Sequence, residues 1–153
     1  MIRDYEFFHG AALAKLVRSG GRLIVAPFKG SGNAAYLVND RCGLYLKHST
    51  SRMSPWAFTF LRDHQLDIDG MQANIGCVVI GLICNDDGVV GLEYAEFRTV
   101  LDASHEEAEG VVVTRKPRGM YRVKGHDGKM QYRIGEGEFV KKVLRQGTLD
   151  LAS

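Results

Sequence analysis

The sequence predicts an α/β (α+β) fold. It should hold a mixed, largely antiparallel central sheet flanked by helices, with a C-terminal β-hairpin extension. Three observations predict this. Short β-type runs are joined by turns too tight for helical crossovers, which makes their strands antiparallel neighbours. The run CVVIGLIC, 77–84, is apolar on both faces, as a central strand covered on both sides must be. Amphipathic stretches near the start and middle supply the flanking helices.

The elements follow in order. Residues 2–19 place Phe7, Phe8, Ala11, Ala12, Leu16 and Val17 at helical spacing, and Gly20-Gly21 stops the helix. RLIVAPF, 22–28, is a short strand, and the Gly-rich KGSGN behind it reads as a hairpin loop. It lacks the spacing of a phosphate-binding P-loop, and a strand follows rather than a helix. AAYLVND and CGLYLKHS are two strands joined at Asn39, Asp40 and Arg41. Ser54 then suits a helix N-cap and Pro55 the first helical position, so a helix is expected over 54–69. After CVVIGLIC and the turn NDDG come the strand VVGLEY and the short helix AEFRTVLD. VVVTR, MYRVKG and MQYRI read as three strands, the last two joined by an Asp-Gly hairpin, and GEFVKKVLRQG as a final helix or basic tail.

The chain has 153 residues, enough for one domain with its own core; the core should occupy about 1–102 and the extension about 110–146. A 45% hydrophobic and 25% charged composition is that of a globular protein and excludes a disordered chain. No apolar run is long enough to span a bilayer, no signal peptide is expected, and Cys42, Cys77 and Cys84 fit no zinc or redox spacing. The expectation is a cytoplasmic protein with reduced thiols, no membrane partner and no cofactor.

The net charge of +2 hides a strong pattern. Residues 1–60 carry eight Lys/Arg against three Asp/Glu, 61–110 two against eleven, and 111–153 ten against four. Basic, acidic and basic blocks either neutralise one another in the fold or form surfaces for an anionic partner and for a homo-oligomer.

Two stretches carry candidate anion sites. In GLYLKHSTSRMSPW, Lys47, His48 and Arg52 gather beside the expected helix start, whose free N–H groups and dipole suit an anion. In TRKPRGMYRVKG, the cations Arg115, Lys116, Arg118, Arg122 and Lys124 surround Tyr121, a pattern that tracks a nucleic-acid backbone. Strand alternation puts Tyr121 and Val123 on one face and Arg122 and Lys124 on the other, which also fits a solvated edge strand. No nucleophile elbow is present, and the five histidines are scattered. His64 and Asp67 stand one helical turn apart, without a third metal ligand indicated.

The opening order, helix, three strands, helix, strand, resembles the core of the PD-(D/E)XK nuclease superfamily over about residues 2–84. The stretch LKHSTSRMSPWAFTF is also similar to small bacterial proteins that carry no known activity. The nuclease resemblance implies a metal held by strand carboxylates and an activating lysine. On this sequence the lysine would be Lys47, with Asp40 and Glu6 as the nearest metal-binding acids. Tyr45 stands where the pattern places the third-strand acid. The expected function is therefore a non-catalytic, nuclease-like domain that binds an anionic partner such as nucleic acid. The alternatives are a metal-dependent nuclease with a relocated acid and an oligomerisation module.

Overall fold

The computed structural model describes residues 1–145. The end of the expected C-terminal segment, 146–147, lies outside the described residues. The first helix, α1 (Asp4–Val17), begins where the Glu6 carboxylate accepts the backbone N–H of Arg3 at 3.0 Å. Strands β1 (Val25–Pro27), β2 (Ala35–Val38) and β3 (Cys42–Ser49) follow as an antiparallel meander. Asn39 and Asp40 both take φ of 54°, as a two-residue hairpin between twisted strands requires.

The stretch expected to open as a helix at Ser54 is instead a strand, β4 (Trp56–Leu61). Its pattern explains why. Trp56, Phe58 and Phe60 alternate inward while Ala57, Thr59 and Leu61 point out, a period of two that a helix cannot bury. Aromatic β-formers outweigh the capping signal of Ser-Pro, whose peptide bond is cis. The helix α2 (Arg62–Ile75) starts only afterwards and ends at Gly76, in the left-handed conformation that glycine tolerates. Gly70 lies inside it.

The chain continues through β5 (Val78–Cys84), β6 (Gly88–Glu93), α3 (Tyr94–Val100), β7 (Ala108–Arg115), β8 (Tyr121–Gly125), β9 (Gly128–Lys129) and α4 (Glu138–Leu144). Every residue of β5 is buried, as its uninterrupted apolar run implies. The strands form two sheets. One has the order β1-β2-β3-β5-β6, antiparallel except for the parallel pair β3 and β5 that flanks α2 in sequence. The other is antiparallel, β4-β7-β8-β9. The C-terminal hairpin thus extends a sheet that β4 begins, and is not a free-standing arm.

The five-stranded sheet is covered on both faces. On one side α1 and α4 pack through Ala12, Leu16, Phe139 and Val143 on Leu44, Leu46 and Ile83. The close seat of α4 depends on Gly91, where a Cβ would lie 2.8 Å from the Phe139 Cα. On the other side lies the larger cluster. There Trp56, Phe58, Phe60, Val111, Val113, Tyr121 and Val123 of the second sheet meet Tyr45, Ile80, Leu82 and Leu92 of the first, with Ile68 and Phe97 from α2 and α3. Burying one such phenylalanine contributes about 2 kcal/mol, so the interface between the sheets is a main source of stability. Among the described residues no helix is long and apolar enough to cross a membrane.

The expected strand MQYRI forms only in part. From β9 the ladder register would bring Tyr132 opposite Tyr121; instead Ile134 bridges Tyr121, so two extra residues are absorbed in an outward bow. The Tyr132 hydroxyl bonds to the Glu96 carboxylate on α3 and holds the bow away from the ladder.

Candidate functional site

That bow builds one wall of a groove on the outer face of the second sheet. The floor is Val112 and Thr114 of β7 with Arg122 and Lys124 of β8; the wall carries Lys129, Gln131, Tyr132 and Arg133. The space is about 470 Å³. A second hollow of about 490 Å³ adjoins it, sharing Thr114, Arg122 and Arg133 and adding Lys116 and Arg118 from the β7–β8 turn. Alternation along β8 determines this placement. Tyr121 and Val123 are buried in the inter-sheet core, so Arg122 and Lys124 must face outward.

Six cations thus surround one continuous depression: Lys116, Arg118, Arg122, Lys124, Lys129 and Arg133. None of them takes part in an ion pair among the described residues. Lys124 and Lys129 even stand directly opposite each other across the β8–β9 ladder, a like-charge pairing that destabilises a sheet. Tyr132, 58% exposed, lies among them with an aromatic face.

Elsewhere some charges of the acidic and basic blocks do neutralise one another. Arg98 meets Asp69, which also accepts from His105 at 2.7 Å and Tyr94 at 2.7 Å. Burial alone would raise the Asp69 carboxyl, but these bonds outweigh it and hold it low. Lys142 bonds Glu96 at 2.8 Å. Arg115 corrects a sequence expectation. It turns inward, 2.9 Å from Asp87 and 3.0 Å from the Tyr121 hydroxyl, and donates to the Gly119 carbonyl. It braces the β7–β8 turn and, although it borders the second hollow, its charge is met by Asp87 and Glu136. Tyr121, fully buried, presents no base-stacking face.

Lys47 and His48 lie elsewhere. Strand β3 outruns β2, whose last contact is the Ala34 carbonyl accepting from Leu46 N–H at 2.9 Å. Beyond that point the sheet edge opens into a cleft of about 210 Å³ lined by Tyr5, His9, Asn33, Tyr45, Lys47, His48 and His64. Lys47 Nζ sits 3.3 Å from His64 Nδ1 and 5.3 Å from the centre of the Phe60 ring. The same Nδ1 accepts the Leu61 N–H at 3.1 Å, so the ring proton resides on Nε2. On the opposite face His48 stacks on Phe8, with 4.3 Å between ring centres. Burial lowers the Lys47 ammonium below its ordinary value. Burial and the Lys47 charge lower both His48 and His64, against weaker pulls from nearby aspartates. Burial, then His48, brings His9 down to about 4, where it shares a 2.8 Å hydrogen bond with the Tyr36 hydroxyl.

Among the described residues no carboxylate lines this cleft. The acids expected to gather about Lys47 do not do so. Asp40 sits in the β2–β3 turn, seven residues back along an extended strand, which is about 20 Å away. The exposed Glu6 is committed to the start of α1. Among the described residues no group of three His, Cys, Asp or Glu side chains is arranged to hold a metal ion. Arg52 is exposed on the β3–β4 loop and lines neither the cleft nor the groove, because the helix start that was to gather it is a strand.

Sequence reasoning therefore located Lys116, Arg118, Arg122 and Lys124 of the groove and missed Lys129, Tyr132 and Arg133. The hairpin register held the signal. Pairing β8 with β9 across HDG places Lys129 beside Lys124 on the outer face. Comparison with family models, curated proteins and solved structures finds no significant match.

Proposed function

We propose that this protein binds nucleic acid, without sequence preference, along the outer groove of its second sheet, and that it prefers single strands. The observation that carries the reading is the set of six cations around one groove, unpaired by any acid among the described residues. In the free protein they repel one another. A phosphate backbone replaces that repulsion with attraction and releases its own counterions. The Lys124–Lys129 juxtaposition costs stability in the fold and gains only when an anion arrives. Tyr132 adds a face on which an unpaired base can stack, which a duplex does not offer. The groove presents charge and one ring but no convergent set of amides, so base identity goes unread.

The test is fluorescence anisotropy with labelled single-stranded and duplex oligonucleotides over a salt series. The expected result is tighter binding to the single strand, with log K falling against log salt at a slope of about −4 when all six cations engage. Absence of binding at low salt, or binding that salt does not weaken, would overturn the proposal.

A further inference from the structure

The three cysteines, whose spacing fits no zinc or redox motif, are not equivalent in space. Cys42 and Cys77 stand at the same end of the adjacent parallel strands β3 and β5, one residue before the first ladder rung, Gly43 opposite Val78. The Gly43 N–H bonds to the Cys77 carbonyl at 2.8 Å, which locks the two backbones side by side. Both side chains face the α1/α4 layer. Neighbouring strands lie about 4.8 Å apart, within the separation a disulfide spans.

The environment of the two sulfurs differs. Cys42 is wholly buried. Cys77 is half-exposed and borders a hollow of about 200 Å³ with Gln72, Tyr94, Lys142 and Arg145, large enough to admit a small oxidant. The Arg145 guanidinium donates to the Cys77 sulfur at 3.1 Å, and α4 itself is tied to this corner by Arg41, which donates to the Leu144 carbonyl at 2.9 Å. Cys84, on the other face of the sheet, has no such companion. Burial pushes its thiol up to about 12.

We propose that Cys77 and Cys42 are a peroxide-reactive thiol pair, with Cys77 the attacking sulfur and Cys42 the resolving one. The Cys77 thiolate attacks one oxygen of a hydroperoxide. The O–O bond breaks, the other oxygen leaves and takes a proton as water or alcohol, and Cys77 becomes a sulfenic acid. The Cys42 sulfur then attacks the Cys77 sulfur. The S–O bond breaks, hydroxide departs with the Cys42 proton as water, and a disulfide remains. Two thiols are oxidised by two electrons and one peroxide is reduced. Cationic surroundings favour the required thiolate. The neighbouring Cys42 thiol and then the Arg145 guanidinium, against the opposing effect of burial, hold the Cys77 thiol below its ordinary value. The disulfide would staple β3 to β5 beside the seat of α4.

The experiment treats the reduced full chain with equimolar hydrogen peroxide and maps peptides without reduction. The expected product links the Cys42 and Cys77 peptides and leaves Cys84 a free thiol. The Cys42→Ser variant should stop at a sulfenic acid on Cys77, captured by a dione probe. Arg145→Ala should shift the pH midpoint of Cys77 alkylation upward from its wild-type position. Wild-type protein that keeps both thiols, or carries Cys77 to sulfinic acid without the linked peptide, overturns the pair. An alkylation midpoint that Arg145→Ala does not move overturns the role of the guanidinium.

Discussion

At the scale of residues, neighbours determine behaviour more than residue type does. Arg115 and Arg122 lie on adjacent strands, β7 and β8, and look alike in sequence, yet one is bonded to Asp87 and the other faces solvent. The histidines show the same dependence. His9, His48 and His64 are all depressed by burial around the Lys47 cleft. In the unfolded chain each takes up a proton near 6.5, whereas the folded protein resists until lower pH. The unfolded state therefore binds more protons in that window, and stability falls as pH drops from 6.5 toward 4. Thermal melting followed by circular dichroism should show Tm decreasing by several degrees over this range. A constant Tm down to pH 4 would contradict the assignment. None of this clustering was legible beforehand. Residues 9, 48 and 64 come from two helices and a strand, and only the outrun of β3 past β2 brings them together.

At the scale of elements, most of the fold was legible because its local signals agree. The all-apolar run of β5, the Asn-Asp and Asp-Gly hairpins and the amphipathic α1 each have one physical reading. The segment 54–61 had two, since its Ser-Pro favours a helix start and its WAFTFL alternation favours a strand. Burial decided it, because the strand places three aromatic rings between the sheets and a helix would place one or two there. The two readings assign opposite roles to adjacent residues. Phe58→Ala should cost about 3–5 kcal/mol in urea unfolding, whereas Thr59→Ala should change stability by less than about 1 kcal/mol. Comparable losses at both positions would count against the strand. The bow at 131–133 was not legible, because its cause is a long-range bond from Tyr132 to Glu96 on α3.

At the scale of the whole molecule, the cations of the charged blocks divide by their place in the fold. One set of cations is consumed in the fold, as Arg98, Arg115 and Lys142 pair with the acidic middle. A second set lines the groove, and others, Arg22 and Lys29 among them, lie exposed elsewhere. The sequence pattern showed the excess of charge but not its division, because pairing depends on which face of each strand a residue occupies. The central claim is that this second set forms a binding surface. The most direct measurement compares two double charge reversals of equal size by single-strand anisotropy at fixed low salt. Arg122→Glu with Arg133→Glu alters the groove; Arg22→Glu with Lys29→Glu alters exposed cations outside it. Affinity should fall by at least about tenfold in the first and stay within about threefold of wild type in the second. Equal losses in both, or wild-type affinity in the groove variant, would contradict it.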